Sequence, residues 1–174
     1  MPALAPDAWV ALAEVARPHG VRGELRLRLY NEDSDVLLEQ DEVLVRLKDG
    51  KEHEVSVDFA RRADRAILMK LHSVDDRNRA EEIRGAQICV RRKDFPVLED
   101  GEFYACDVEG AEVRLGDASG ELLGTVKEFL QYPSLDAFLI EGPKGRFEVP
   151  AQANWIKEVR PGIVVLATLD GLEL

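Results

Sequence analysis

The sequence predicts an all-β fold in two small domains, with one short helix in the first. Three observations lead there. Short runs of alternating apolar residues recur between turn signals at a regular spacing, the pattern of a small barrel or sandwich. The stretch RRKDFPVLEDG over residues 91–101 contains Pro96 and separates a half of mixed charge from an acidic one, which places a domain boundary there. With 45% apolar residues, the 174-residue chain can build one core or two small ones.

Residues 1–8 (MPALAPDA) carry two prolines and read as a frayed tail. Residues 9–16 form an apolar run broken only by Glu14. Leu25, Leu27 and Leu29 alternate with Glu24, Arg26 and Arg28, so two half-buried strands flank Arg17-Pro18-His19-Gly20-Val21-Arg22-Gly23. This connection is longer than the two residues a tight hairpin needs, and it carries two arginines and a histidine. It reads either as a solvated loop whose proline and glycines serve the turn, or as a surface presenting side chains to a partner. After a polar connection at residues 31–35, residues 43–47 form a strand closed by the Asp49-Gly50 hairpin signal. Residues 54–59 form another, with Val55, Val57 and Phe59 on one face. Residues 61–65 are a charged turn and residues 66–71 a further strand. Residues 74–85 are a helix, capped by Asp75 or Asp76 and ended by Gly85, with Ala80, Ile83 and Ala86 along one face. Its Arg77 and Arg79 read as solvated or as a basic contact. Residues 87–90 return as the sixth strand.

The second half also reads as all-β. Strands are predicted over residues 111–115, 121–130, 136–141, 146–149 and 163–168, with Gly124 marking a bulge or sharp bend. Trp155, Ile156 and Val159 read as a short irregular or helical segment. At the start of this half stand Phe103 and Tyr104. Adjacent strand residues face opposite sides, so one ring should be core and the other exposed as an anchor for a protein partner, unless both fill the seam between the domains.

Charge is distributed unevenly. Residues 1–95 hold 17 basic and 19 acidic side chains, a net of −2, whereas residues 96–174 hold 6 and 15, a net of −9. The second half repels phosphate and suits a basic protein partner, or simply keeps the chain soluble; nucleic-acid contact belongs to the first half. Cys89 and Cys106 form no CxxC or CxxH pattern and read as small apolar side chains in a reducing compartment. No signal peptide and no membrane span is visible, so a cytoplasmic protein that uses no membrane is expected. His19, His53 and His72 lack metal-ligand spacing, and no Walker loop, GxGxxG or GxSxG motif occurs. As a catalyst, His19 would be a lone general base without an orienting partner. No catalytic residue, metal or cofactor is therefore expected.

Several motifs together resemble one family. His19-Gly20-Val21-Arg22-Gly23-Glu24 is similar to the HG(L/V)RGE signature near the start of the RimM family, bacterial factors for maturing the small ribosomal subunit. Asp76-Arg77-Asn78 with Ala80-Glu81 and Arg84-Gly85 resembles that family's DRnxAexxrG segment. FYACDVEG over residues 103–110 is similar to its YYxxDLxG motif, and GELLGTV over residues 120–126 to GexlGxV. Val149-Pro150 and Gly171-Leu172 echo an IP step and a closing GL. The resemblance runs in order through residues 10–174. It implies a RimM N-terminal β-barrel (residues 9–92), a linker (93–98) and a C-terminal PRC barrel (99–174). It further implies a non-catalytic monomer that binds the free, immature 30S subunit through ribosomal protein nineteen of the head and assists folding and processing of 16S rRNA. Carried over by position, Phe103, Tyr104 and Asp107 fall in the partner-protein motif. Arg17, His19, Gly20, Arg22 and Gly23 fall in a contact with head rRNA or the subunit, with Arg22 the foremost phosphate ligand. Phe103 replaces a tyrosine, Val108-Glu109 replace Leu-Ile, and the charge of Glu109 has no explanation. The alternatives are an RNA-processing or RNA-modifying enzyme on the same barrels, or a PRC-barrel scaffold docking another complex.

Overall fold

The structure, a computed structural model, describes residues 4–99 and 102–172. The chain divides into two units, one of Pro6–Pro96 and one that comprises the chain from Val97 onward together with the residues before Pro6. Strands dominate both.

The first unit is a closed six-stranded barrel of order β1-β2-β5-β4-β3-β6. Its strands are β1 (Trp9–His19), β2 (Glu24–Leu29), β3 (Glu42–Arg46), β4 (Glu52–Ala63), β5 (Ala66–Leu71) and β6 (Gln87–Arg91). The pairings between neighbouring strands are antiparallel. Two strands are long because successive segments of each pair with different neighbours. β1 pairs with both β2 and β6, with register breaks between Ala11 and Ala13 and between Val15 and Arg17. β4 pairs with β3 and then β5, breaking between Val57 and Phe59. Each bulge bends its strand from one partner to the next, which is how a short barrel turns its corners. The apolar alternation seen in sequence fills the interior: Val15, Leu25, Leu27, Val43, Ile67, Met69, Leu71 and Ile88 are all almost wholly buried.

The bulges overturn three expectations. The extra residue at Ala16 shifts the phase of β1, so Arg17 and His19 face outward, Pro18 is buried, and all three stay in the strand. The hairpin connection is therefore Gly20–Gly23, not Arg17–Gly23. The bulge at Asp58 likewise turns Phe59 outward, 46% exposed and paired with Lys70, rather than onto the face of Val57. β4 also continues through the expected charged turn, leaving only Asp64-Arg65 to reverse the chain.

The predicted helix is α1 (Arg77–Glu82). The Asp76 side chain caps it, accepting the Arg79 amide at 2.8 Å. Ala80 is its buried residue. The expected frayed tail falls partly on residues outside the described ones. From Pro6 onward the chain is tied down: the Pro6 and Ala8 carbonyls accept the Lys93 and Arg92 amides at 2.9 Å, and Asp7 pairs with Lys93 at 2.7 Å. The expected linker thus begins late. Arg92–Asp94 form a 3-10 turn and Phe95 is buried, whereas Val97 is 99% exposed.

The second unit holds α2 (Ala105–Val108) and a six-stranded sheet of order β10-β9-β8-β7-β12-β11. Its strands are β7 (Glu112–Leu115), β8 (Leu122–Gln131), β9 (Asp136–Gly142), β10 (Gly145–Pro150), β11 (Ile156–Arg160) and β12 (Ile163–Leu166). β12 runs parallel to β7 and the other pairings are antiparallel. The end strands β10 and β11 are not paired with each other, so the ladder closes fully only in the first unit. The core gathers Val113, Val126, Phe138, Ile140, Val149, Val164 and Leu166. Residues 156–160 form a strand, not the irregular or helical segment expected, because β12 offers the edge on which they pair. Gly124 stands beside a register break as expected; a Cβ there would lie 2.3 Å from the Glu141 carbonyl oxygen.

Candidate functional site

The β1–β2 hairpin brings the first group of expected site residues together. His19 pairs with Glu24 and Arg17 with Arg26 across the two strands. Leu25, Leu27 and Leu29 are buried, so Glu24, Arg26 and Arg28 face out, and Arg17 and His19 share that outer face. Val21 and Arg22 project from the loop; Val21 is 74% exposed. Gly20 and Gly23 both take positive φ, +68° and +90°. Gly23 is also fixed by space, since a Cβ would lie 1.9 Å from the Val74 carbonyl oxygen.

That contact braces the loop against the segment leading into α1. Arg77, the first residue of α1, adds a second brace: its Nη1 donates to the Gly20 carbonyl at 3.0 Å. The HGVRGE and DRNRAE motifs, more than fifty residues apart in sequence, are thus one structural unit. Glu24 is engaged as well, accepting from Arg61 of β4 at 3.2 Å. Arg77 is the residue that sequence reasoning undervalued. Its signal was the basic character of the predicted helix start, but only the fold shows that it meets the loop.

The second group lies on the approach to α2 and within it. Phe103 and Tyr104 are not on a strand, so alternation does not separate them; both are half-buried. The Phe103 ring packs edge-on against Phe129 at 5.4 Å between centroids, and against Phe138 at 5.5 Å. Phe129 and Phe138 are themselves 5.4 Å apart. Phe103 is therefore part of an aromatic cluster on the core, not the free anchor an exposed ring would be. Asp107 is only 6% exposed, the one buried charged residue among those described. Its amide donates to the Tyr104 carbonyl at 2.9 Å and its carbonyl accepts from Gly162 at 3.1 Å. In this segment Glu102, Ala105 and Glu109 are exposed and Tyr104 is half-buried.

Among the described residues, no three His, Cys, Asp or Glu side chains converge on a common point to hold a metal ion. The resolved pKa shifts lie away from both groups. The Lys127 ammonium, hydrogen-bonded to Glu141, holds that carboxyl below its usual range, and the Glu148 carboxylate raises the Tyr132 phenol. The arrangement is one of presented cations and anchored rings, the chemistry of binding.

Comparison with known proteins agrees with the motifs. A family model described as the RimM N-terminal domain matches residues 10–95. A ribosome maturation factor RimM from Sorangium cellulosum is 46% identical over 167 residues, covering 94% of this chain and 97% of that protein. One from Symbiobacterium thermophilum is 31% identical over 171 residues, covering 96% and 95%. A third, from Pelobacter propionicus, is 28% identical over 168 residues, covering 95% and 96%. On this end-to-end similarity, the chain belongs to the RimM family of ribosome maturation factors.

Proposed function

We propose that this protein is a non-catalytic assembly factor that binds the free, immature small ribosomal subunit and assists folding and processing of its 16S rRNA. In this reading the first unit touches head rRNA through Arg17, His19 and Arg22, with Gly20 and Gly23 shaping the loop that carries them. The second unit, a PRC barrel, docks ribosomal protein nineteen through the surface around Tyr104, with Phe103 and Asp107 holding that surface from beneath. The protein acts in the cytoplasm, as a monomer, without a cofactor. The observation that carries the reading is the braced β1–β2 loop, which holds the exposed Arg22 on a fixed backbone. A fixed backbone lowers the entropy cost of making a phosphate contact.

Sedimentation tests it. The tagged protein is expected to co-sediment with free small subunits and to be absent from complete ribosomes and polysomes. Recovery only at the top of the gradient, at low salt and after crosslinking, would overturn the assembly reading and send the purified protein to assays of RNA-directed enzymatic activity. Tyr104→Ala tests the protein contact, with an expected loss of about 2 kcal/mol or more if the ring is a hot spot. Phe103→Ala is the poorer probe, because it also removes a ring from the core cluster.

A further inference from the structure

Among the described residues of the first unit, most Lys and Arg side chains are paired with a carboxylate, including Arg28, Arg46, Lys51, Arg61, Arg62, Arg65, Lys70, Arg84, Arg91 and Lys93. Arg17, Arg22, Arg26, Lys48, Arg77 and Arg79 have no carboxylate of the described residues within 4.0 Å. Four of these belong to one place. Arg17 and Arg26 are direct cross-strand partners on the outer face of the hairpin, Arg22 stands on its loop, and Arg77 is bonded to that loop's Gly20. Like charges directly opposite on a ladder destabilise it, and the two outward carboxylates that flank the Arg17–Arg26 pair, Glu14 and Glu24, are engaged by Arg28 and Arg61.

The same register row runs through Leu68 of β5, which is covered (2% exposed), to Arg61 of β4. Arg61 crosses β5 to reach Glu24, and the pair stays open to water, with side-chain exposures of 56% and 21%. A carboxylate held so loosely is exchangeable for another anion. The Arg17–Arg26–Arg61 row is built of guanidinium forks, which match phosphate oxygens, and the outward Phe59 lies beside it on β4.

We propose that Arg17, Arg22, Arg26 and Arg77 form one surface for the phosphodiester backbone of RNA, and that Glu24 limits its strength by neutralising Arg61. The proposal rests on the rRNA reading of the hairpin. It extends that reading to two arginines outside the loop and to a carboxylate that opposes binding.

The test is fluorescence anisotropy of the full chain with a labelled, mixed-sequence RNA hairpin, titrated over a range of KCl. Each phosphate contact contributes roughly 0.7–0.9 to the slope of log affinity against log salt. Arg26→Gln and Arg77→Gln are each expected to weaken binding about threefold to tenfold and to lower that slope by about one. Arg77→Lys should restore the slope; because lysine can also donate to the Gly20 carbonyl, amide exchange of the Gly20–Gly23 loop in Arg77→Gln is measured alongside, and wild-type exchange together with a lowered slope assigns the effect to the phosphate contact. Arg26→Gln should leave the melting temperature unchanged or raise it. Glu24→Gln should tighten binding.

Wild-type slope and affinity in Arg26→Gln and Arg77→Gln would overturn the surface, as would failure of the unmodified protein to bind the hairpin at low salt. Unchanged or weaker binding by Glu24→Gln would overturn its limiting role. Co-sedimentation with free small subunits, measured alongside, separates the two readings. Subunit binding with salt slopes unaltered by the variants sinks this surface alone, whereas hairpin binding that follows the prediction without co-sedimentation sinks the subunit reading alone.

Discussion

At the scale of single residues, chemistry and space make different demands on the same motif. Arg22 is exposed and replaceable as far as the fold is concerned, whereas Gly23 has a positive φ and a carbonyl oxygen where its Cβ would stand. Gly23→Ala is expected to cost about 2 kcal/mol or more, because both the backbone conformation and the Val74 contact must give. A urea midpoint equal to that of the unmodified protein would refute this. Cys89 illustrates a residue placed by packing. It is fully buried on β6, and burial pushes its thiol up from the ordinary range. Iodoacetamide at neutral pH should therefore leave Cys89 unmodified in the folded protein and alkylate it once urea is added. Rapid modification without denaturant, read by mass spectrometry, would contradict that.

At the scale of elements, α1 is too short to persist on its own and depends on its cap and its packing. Asp76 supplies the cap, Ala80 the buried contact, and Arg77 the bond to the loop. Asp76→Ala is expected to destabilise the first unit by about 1 kcal/mol. Because α1 braces the hairpin, faster amide exchange should then appear in the Gly20–Gly23 loop as well as in the helix. Faster exchange confined to the helix would show that the two are not coupled. The bulged strands are the other elements that matter. Ala16 and Asp58 each reverse which side of the barrel the following residues face, and so decide that Arg17 and His19 reach solvent and that Phe59 leaves the core.

At the scale of the whole molecule, the net −11 hides a division of labour. Among the described residues, the near-neutral first unit places four of its six unpaired cations at one hairpin and its brace, while the net −9 second unit suits a basic partner. Association of the intact protein with isolated ribosomal protein nineteen should slow as salt rises, because screening shortens the reach of the acidic field. Arg22→Ala should leave that association unchanged while weakening binding to the immature subunit. A rate insensitive to salt would remove steering by the acidic unit from the account, and an effect of Arg22→Ala on both partners would make the loop a fold element instead.

The sequence by itself determined the all-β class, the six strands of the first unit and the position of its helix. Each rests on a local signal: period-two alternation, a turn dipeptide, an aspartate before a helical run. The family was legible for the same reason, since its motifs are contiguous. Tertiary structure alone decided which faces those residues occupy. A bulge leaves no mark in composition, so the outward turn of Arg17 and Phe59 became visible only with the pairing register. Phe103 met Phe129 and Phe138, Arg77 met Gly20, and Arg61 met Glu24 through contacts between residues distant in sequence. Such contacts depend on how the strands close, which periodicity along the chain does not encode.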